Sequence, residues 1–297
     1  MKQIDRTSVF MPRECKAAIV IVHGMQEHRH RYEALGEYLA QNGIGTLAYD
    51  LPGHGKSLPH EELGWFGEDG WDNLVESAVH EIKAARQIFD NVPVFFLGHS
   101  MGAMIGRCFL QEHDALIDGM ILSGPPCFNK SAGVGKAVAS MVKKAKGDRG
   151  FSTVLDNLAT GSFNKAIENP RTSLDWLSYN EENVDAYIAD EYCGFPFTVK
   201  GYEDLLEGML RMHDPRRFHV TAPDLPLYAF AGQDDPCIGG EEGFNATVRF
   251  LLKVGYQCVK NKLYPGMRHE TMHETGREKV FGDICGWICA QLTKTYK

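Results

Sequence analysis

Val94-Phe95-Phe96-Leu97-Gly98-His99-Ser100-Met101-Gly102-Ala103-Met104-Ile105-Gly106 runs from an apolar, β-prone stretch, through one serine, into a small-residue segment of helical character. Strand, sharp turn and helix in that order form the surroundings of a nucleophile elbow, in which a strained turn pushes a serine hydroxyl clear of the backbone. Gly98 and Gly102, two positions either side of Ser100, leave room where a Cβ would obstruct so tight a turn. A five-residue pattern occurs by chance, so the rest of the chain must supply a base, a carboxylate and donors for a developing oxyanion.

Outward from the elbow the chain alternates strands with helices. Ala17 to Val22 is an unbroken apolar run that reads as a strand buried on both faces, and the spacing of Tyr32, Leu35, Tyr38 and Leu39 predicts a helix closed by Asn42-Gly43. A strand follows at residues 44–49, a helix at 71–89, the elbow strand, and a short strand at 119–122 that stops at Ser123-Gly124-Pro125-Pro126. An edge strand is expected at residues 6–11. The alternation then breaks. Residues 127–223 hold no segment that reads as a buried strand, and helical patterns dominate at 134–146, 183–191 and 202–212. It resumes with strands at 225–231 and 257–263 and helices at 241–254 and 277–292. The fold predicted is α/β, a mostly parallel sheet flanked by helices. Its core comprises residues 1–124 and 224–297, and residues 125–223 form an inserted, mainly helical cap. Ligands collect at the carboxyl ends of such strands, and His23, Ser100, Asp234/Asp235 and His269 all follow one.

Composition narrows the function further. A formal net charge of -8 argues against a nucleic-acid partner, which would require an excess of Lys and Arg. The opening MKQIDRTSVF has no apolar core of a signal peptide, and the densest apolar runs are far too short to span a membrane, so a cytoplasmic protein is expected. Eight cysteines are scattered without a CxxC pair, which suits reduced thiols. Cys285 and Cys289 stand four apart on a helix, but no second ligand pair accompanies them, so no metal is expected.

A serine hydroxyl becomes a good nucleophile once an imidazole takes its proton, and that imidazole needs a carboxylate to fix its tautomer. Ser100, then Asp234 or Asp235, then His269 supply the three in order, each after a strand. His23, His54 and His99 also lie at strand ends or in loops there, but His99 belongs to the serine's own turn and His23 opens the loop after the first buried strand, and chain order and position make His269 the candidate base. The backbone N–H of Met101, at the start of the elbow helix, is one expected oxyanion donor, and that of Met25 the other.

Five ordered motifs, His23 to His28, Gly53 to Ser57, Gly98 to Gly102, Gly232 to Pro236 and Tyr264 to Glu270, resemble those of the monoacylglycerol lipase and bacterial lysophospholipase group of serine α/β-hydrolases. The resemblance runs from about Ala17 to the C-terminus. It implies Asp235 rather than Asp234 as the acid, Met25 and Met101 as oxyanion donors, no cofactor, and a monoacylglycerol or lysophospholipid substrate. The N-terminal part is shorter than the group's usual leading hairpin, which leaves room for one edge strand fewer.

The cap carries no motif that names a substrate. Its many apolar residues, among them Phe128, Met141, Phe151, Leu155, Leu158, Trp176, Leu205 and Met209, exceed what a few helices need for their own seams, so some are expected to line a passage to Ser100. Lys130 to Arg149 combines six cations with an apolar helical stripe, the make-up of an interfacial helix that could make peripheral membrane contact. Glu181, Glu182, Asp185, Asp190 and Glu191 could instead hold a substrate ammonium group, as in related aminopeptidases. The same motifs would also suit a small-ester carboxylesterase, or a ligand-binding protein that kept the fold and lost turnover.

Overall fold

The computed structural model describes residues 6–293. Its sheet has seven strands: β1 Thr7–Phe10, β2 Ala17–Val22, β3 Ile44–Tyr49, β4 Val94–His99, β5 Gly119–Ser123, β6 Leu227–Gly232 and β7 Val259–Tyr264, in the spatial order β1-β3-β2-β4-β5-β6-β7. β1 runs antiparallel to β3, with Thr7 opposite Tyr49, and the remaining pairs are parallel. Within the described residues β1 alone precedes β2.

β2 shows why the inner strands are continuous apolar runs. Ala18, Val20 and Val22 face one layer of core, and Ala17, Ile19 and Ile21 face the other. α1 (Glu33–Gln41) and α9 (Arg277–Leu292) cover the second face with Leu35, Leu39, Ile284 and Ile288. On the first face lie α2 (Trp71–Ile88), α3 (Met101–Phe109) and α8 (Gly240–Val254), which bury Leu74, Ile82, Ile105, Phe244 and Leu251. Two covered faces are what a parallel sheet requires.

Between β5 and β6 the chain forms α4 (Ala132–Lys146), α5 (Thr153–Ala159), α6 (Glu181–Ala189) and α7 (Val199–Arg211). α7 starts three residues before the pattern suggested, because Thr198 accepts the Gly201 N–H through its hydroxyl at 3.0 Å and caps the helix. α6 starts two residues early at Glu181, where acidic side chains complement the helix dipole. α5 has no counterpart in the sequence pattern. At seven residues it is too short to show a clear period.

Steric demand at the crossing of β2 and α3 is severe. A Cβ on Gly102 would run into the carbonyl oxygens of Val22 and His23, which are backbone and cannot swing away. Gly102→Ala should therefore cost about 1–3 kcal/mol and displace the elbow. Gly133 on α4, by contrast, has nothing within 4 Å of the place a methyl would take, and should gain from alanine's helix propensity. Thermal melts of the two variants should move in opposite directions, and equal shifts would refute this account of the crossing.

Candidate active site

Ser100 links β4 to α3 with φ +52 and ψ -114, a backbone conformation that a residue with a Cβ seldom adopts. Such a residue costs roughly 1–3 kcal/mol and persists only where its surroundings impose it. Here β4 fixes one side and α3 the other, and the Ser100 N–H donates to Ser123 O at 2.9 Å. Gly24 approaches the same turn. A Cβ there would sit 3.2 Å from the Ser100 Cβ and 2.7 Å from Glu27 Oε1.

His269 follows β7 and is buried. Its Nδ1 donates to Asp235 Oδ2 at 2.8 Å, and the other carboxylate oxygen accepts the Cys237 N–H at 2.8 Å. Burial alone would lower the imidazole, but the Asp235 carboxylate outweighs that and holds the ring well above its ordinary value. Asp234 turns to the surface and accepts from Tyr179 Oη at 3.3 Å. Of the two adjacent aspartates, Asp235 is the one paired with His269.

Other histidines near the strand ends are occupied. His23 Nδ1 donates to Gly24 O at 2.7 Å, and its Nε2 accepts the Leu51 N–H at 3.0 Å. His54 accepts the Gln26 N–H at 3.3 Å, and burial, with His23 close by, pushes it down to about 3. His99, buried beside His269, is likewise lowered to about 3. His23 and His54 brace the loops after β2 and β3, and His99 Nδ1 lies 3.3 Å from Ser123 Oγ at the end of β5. Among the described residues, the N–H groups of Met25 and Met101 donate to no protein acceptor, and both residues line one cavity of about 530 Å³ together with Ser100 and His269.

The sequence pattern did not reveal what holds the two loops together. Arg31 donates to Glu27 Oε2 at 2.8 Å and to both oxygens of Glu270 at 2.5 and 2.8 Å. Glu27 lies in the Met25 loop, accepting the Gly24 N–H at 2.5 Å and the Tyr32 hydroxyl at 2.9 Å, and Glu270 adjoins His269. Burial would raise both carboxyls, yet Arg31 keeps both below the usual range, Glu270 down to about 2. Asn183 on α6 bridges Arg31 and Glu270 at 2.9 and 2.7 Å, and Tyr187 Oη donates to Gln26 O at 2.8 Å. Buried charges flanking both motifs were the available signal.

A parallel sheet with a serine elbow and a paired Asp and His on its carboxyl edge defines an α/β-hydrolase. The chain belongs to the family described as serine aminopeptidase, S33, whose profile matches residues 13–276. It is similar to the monoacylglycerol lipase of Mycolicibacterium smegmatis, 28% identical over 93% of this chain and 89% of that protein, and to the human monoglyceride lipase, 29% identical over 94% and 84%. In three dimensions it resembles a thermostable carboxyl esterase from Bacillus coagulans, solved in complex with glycerol, with a TM-score of 0.89, 27% identity, and coverage of 96% of this chain and 94% of that one. The two lipases carry the name of the group that the five motifs resemble.

Removing Arg31 should leave two buried carboxylates without a counter-ion. Arg31→Met is expected to lose about 3–5 kcal/mol in a denaturant titration at neutral pH. Less than 1 kcal/mol would show that the network is not a structural clamp.

Proposed function

We infer that this chain hydrolyses carboxylic esters of lipid-like alcohols, a monoacylglycerol or a lysophospholipid, through an acyl-serine intermediate on Ser100. His269 takes the Ser100 proton as the hydroxyl attacks the ester carbonyl, and Asp235 holds the ring with its other nitrogen protonated. The Met25 and Met101 N–H groups receive the charge that develops on the carbonyl oxygen. The alcohol leaves with the proton from His269, and water activated by the same imidazole releases the acid. Residues 125–223 act as a cap over a core formed by 1–124 and 224–297.

The cavity is the observation that carries the substrate class. Its cap side presents Leu155, Leu174, Trp176, Leu205, Leu206 and Met209 to the space above Ser100, and its volume lies within the range of small-molecule sites. Phe128 and Leu158 also line it. Phe195 and Phe197 pack instead on His54, and Met141 and Phe151 face outward, 62% and 49% exposed. Each methylene buried in such a space is worth about 0.8 kcal/mol, up to roughly fourfold in rate.

An aminopeptidase would need a free carboxylate for the substrate ammonium. The carboxylates lining the cavity, Glu27 and Glu270, are both taken by Arg31. In the acidic cap segment Asp185 bonds Arg171, Asp190 pairs with His28 and Lys56, and none of the segment's acids reaches the cavity. Ester hydrolysis is therefore favoured. With a series of nitrophenyl esters, kcat/KM should rise from acetate toward longer acyl chains, and an aminoacyl-anilide should not be turned over. A preference for acetate or for the anilide would contradict the assignment.

The pH profile checks the acid and base. Activity requires neutral His269 and is lost as pH falls through its value, so the acid limb of kcat/KM should lie above the ordinary 6.5. Asp235→Asn removes the charge that raises the ring and leaves burial, which lowers it. The limb should shift down while the rate falls by about 10⁴. Asp234→Asn should behave like the parent, and the reverse pattern would transfer the role to Asp234.

Contact with lipid surfaces is carried by apolar groups rather than by charge. Of the cations in 130–149, Lys136 pairs with Glu207, Lys143 with Glu203 and Arg149 with Glu62. Val134, Met141, Val154 and Leu158 are 58–70% exposed, and Val134 and Leu158 also line the cavity, so its mouth has an apolar rim. Vesicle binding should change little between low and high salt. Met141→Glu with Val154→Glu should impair hydrolysis of vesicle-borne monoacylglycerol while sparing a soluble short ester. Binding abolished by salt would restore the electrostatic account.

A further inference from the structure

Cys237 lies two residues beyond Asp235, on a short turn (Pro236–Ile238) that the Asp235 carboxylate caps through the Cys237 N–H. The turn directs the thiol inward. Sulfur of Cys237, a ring nitrogen of His269 and a carboxylate oxygen of Asp235 all fall within 4.8 Å of one another, and all three residues are at least nineteen-twentieths buried. Cys237 and His269 both border the cavity over Ser100, which gives a small solute a path to them. The ester hydrolysis inferred above makes no use of this thiol.

We propose that Asp235, Cys237 and His269 form an inhibitory site for a thiophilic divalent cation such as zinc or cadmium. Sulfur, imidazole nitrogen and carboxylate oxygen are the donors such ions choose, and three protein ligands with a fourth position open to water is a common arrangement. Ligand atoms around tetrahedral zinc stand about 3.5 Å apart, so the Asp235 oxygen, 2.8 Å from His269 Nδ1, must part from the ring to admit the ion, while the sulfur, within 4.8 Å of both, draws in. On binding, the Cys237 thiol releases its proton to solvent and the thiolate bonds the ion. One thiolate and one carboxylate then neutralise its two positive charges, so no net charge is buried. Bound at Nε2, the ion occupies the lone pair that would take the Ser100 proton. Bound at Nδ1, it leaves the neutral ring's proton on Nε2. Either way the imidazole cannot act as a base, and hydrolysis stops until the ion is removed.

A second trio, His28, Asp190 and Cys193, also falls within 4.8 Å, but Asp190 is only partly buried and is already paired with a cation. The Lys56 ammonium lies 2.9 Å from the Asp190 oxygen that also pairs with His28, so an incoming cation would have to displace a cation already there. That trio serves as the internal comparison.

The proposal rests on His269 being the base, and its test separates the two. Hydrolysis of nitrophenyl butyrate is followed while zinc chloride is titrated without chelator. Wild type and Cys193→Ala should be inhibited alike and restored by EDTA, and Cys237→Ala should need at least tenfold more zinc. Equal zinc sensitivity of Cys237→Ala and wild type would overturn the site. Direct binding is read on Ser100→Ala protein from the ultraviolet absorption of the cadmium–thiolate bond. One equivalent should vanish when Cys237→Ala, or the closer mimic Cys237→Ser, is added. Loss of none would also overturn the site, even if the single variants were inactive. Cadmium bound through Cys237 without inhibition would contradict the inhibitory role by removing His269 as the base.

Discussion

Ser100 is held at positive φ between a buried strand and a buried helix, and much of the surrounding sequence is explained by that constraint. The conformation is intrinsically unfavourable, so the neighbouring backbone must leave no alternative. Gly98 lets the carbonyl of Gly102 lie against β4, and Gly102 lets α3 press on the end of β2. Gly24 admits the next loop to the same point, bringing the Met25 N–H to the cavity that Ser100 enters. Sheet order does the rest. β4 is central, so the loops after β2, β6 and β7 converge on the serine along one edge.

Arg31 extends this arrangement from backbone to charge. A largely buried guanidinium between two carboxylates joins the loop that begins at His23 to the loop that carries His269, and Asn183 adds α6 to the same knot. One part of the segment between β5 and β6 is thereby fixed to the carboxyl edge of the sheet, through Asn183, Tyr187 and the pairing of His28 with Asp190. The part built from α4 and α5 carries Val134, Met141, Val154 and Leu158, all exposed. On the proposed reading, these anchors would let α4 and α5 rest on a lipid surface without disturbing the Met25 loop.

Legibility in the sequence followed the strength of local constraint. β2 was readable to the residue because a strand buried on both faces is a continuous apolar run, and β3 because Asn42-Gly43 and Asp50-Leu51-Pro52-Gly53 punctuate its two ends. The positions of Ser100, Asp235 and His269 at strand ends were readable from chain order. The hydrogen bond that distinguishes Asp235 from Asp234 depends on the direction of two side chains, which no one-dimensional pattern records. Arg31 escaped notice because its partners are 4 and 239 residues away, and the pairing of Lys136 and Lys143 with α7 escaped because a local charge count omits acids brought in from another helix. Cys237 read as a plain buried thiol until the turn placed it beside His269.

The account depends on Ser100 being the group that is acylated, and a fluorophosphonate tests this most directly. Such a probe should form one adduct per chain, and peptide mapping by mass spectrometry should place it on Ser100. Labelling should disappear in Ser100→Ala. An unlabelled wild type, or an adduct on another residue that persists in Ser100→Ala, would contradict the account.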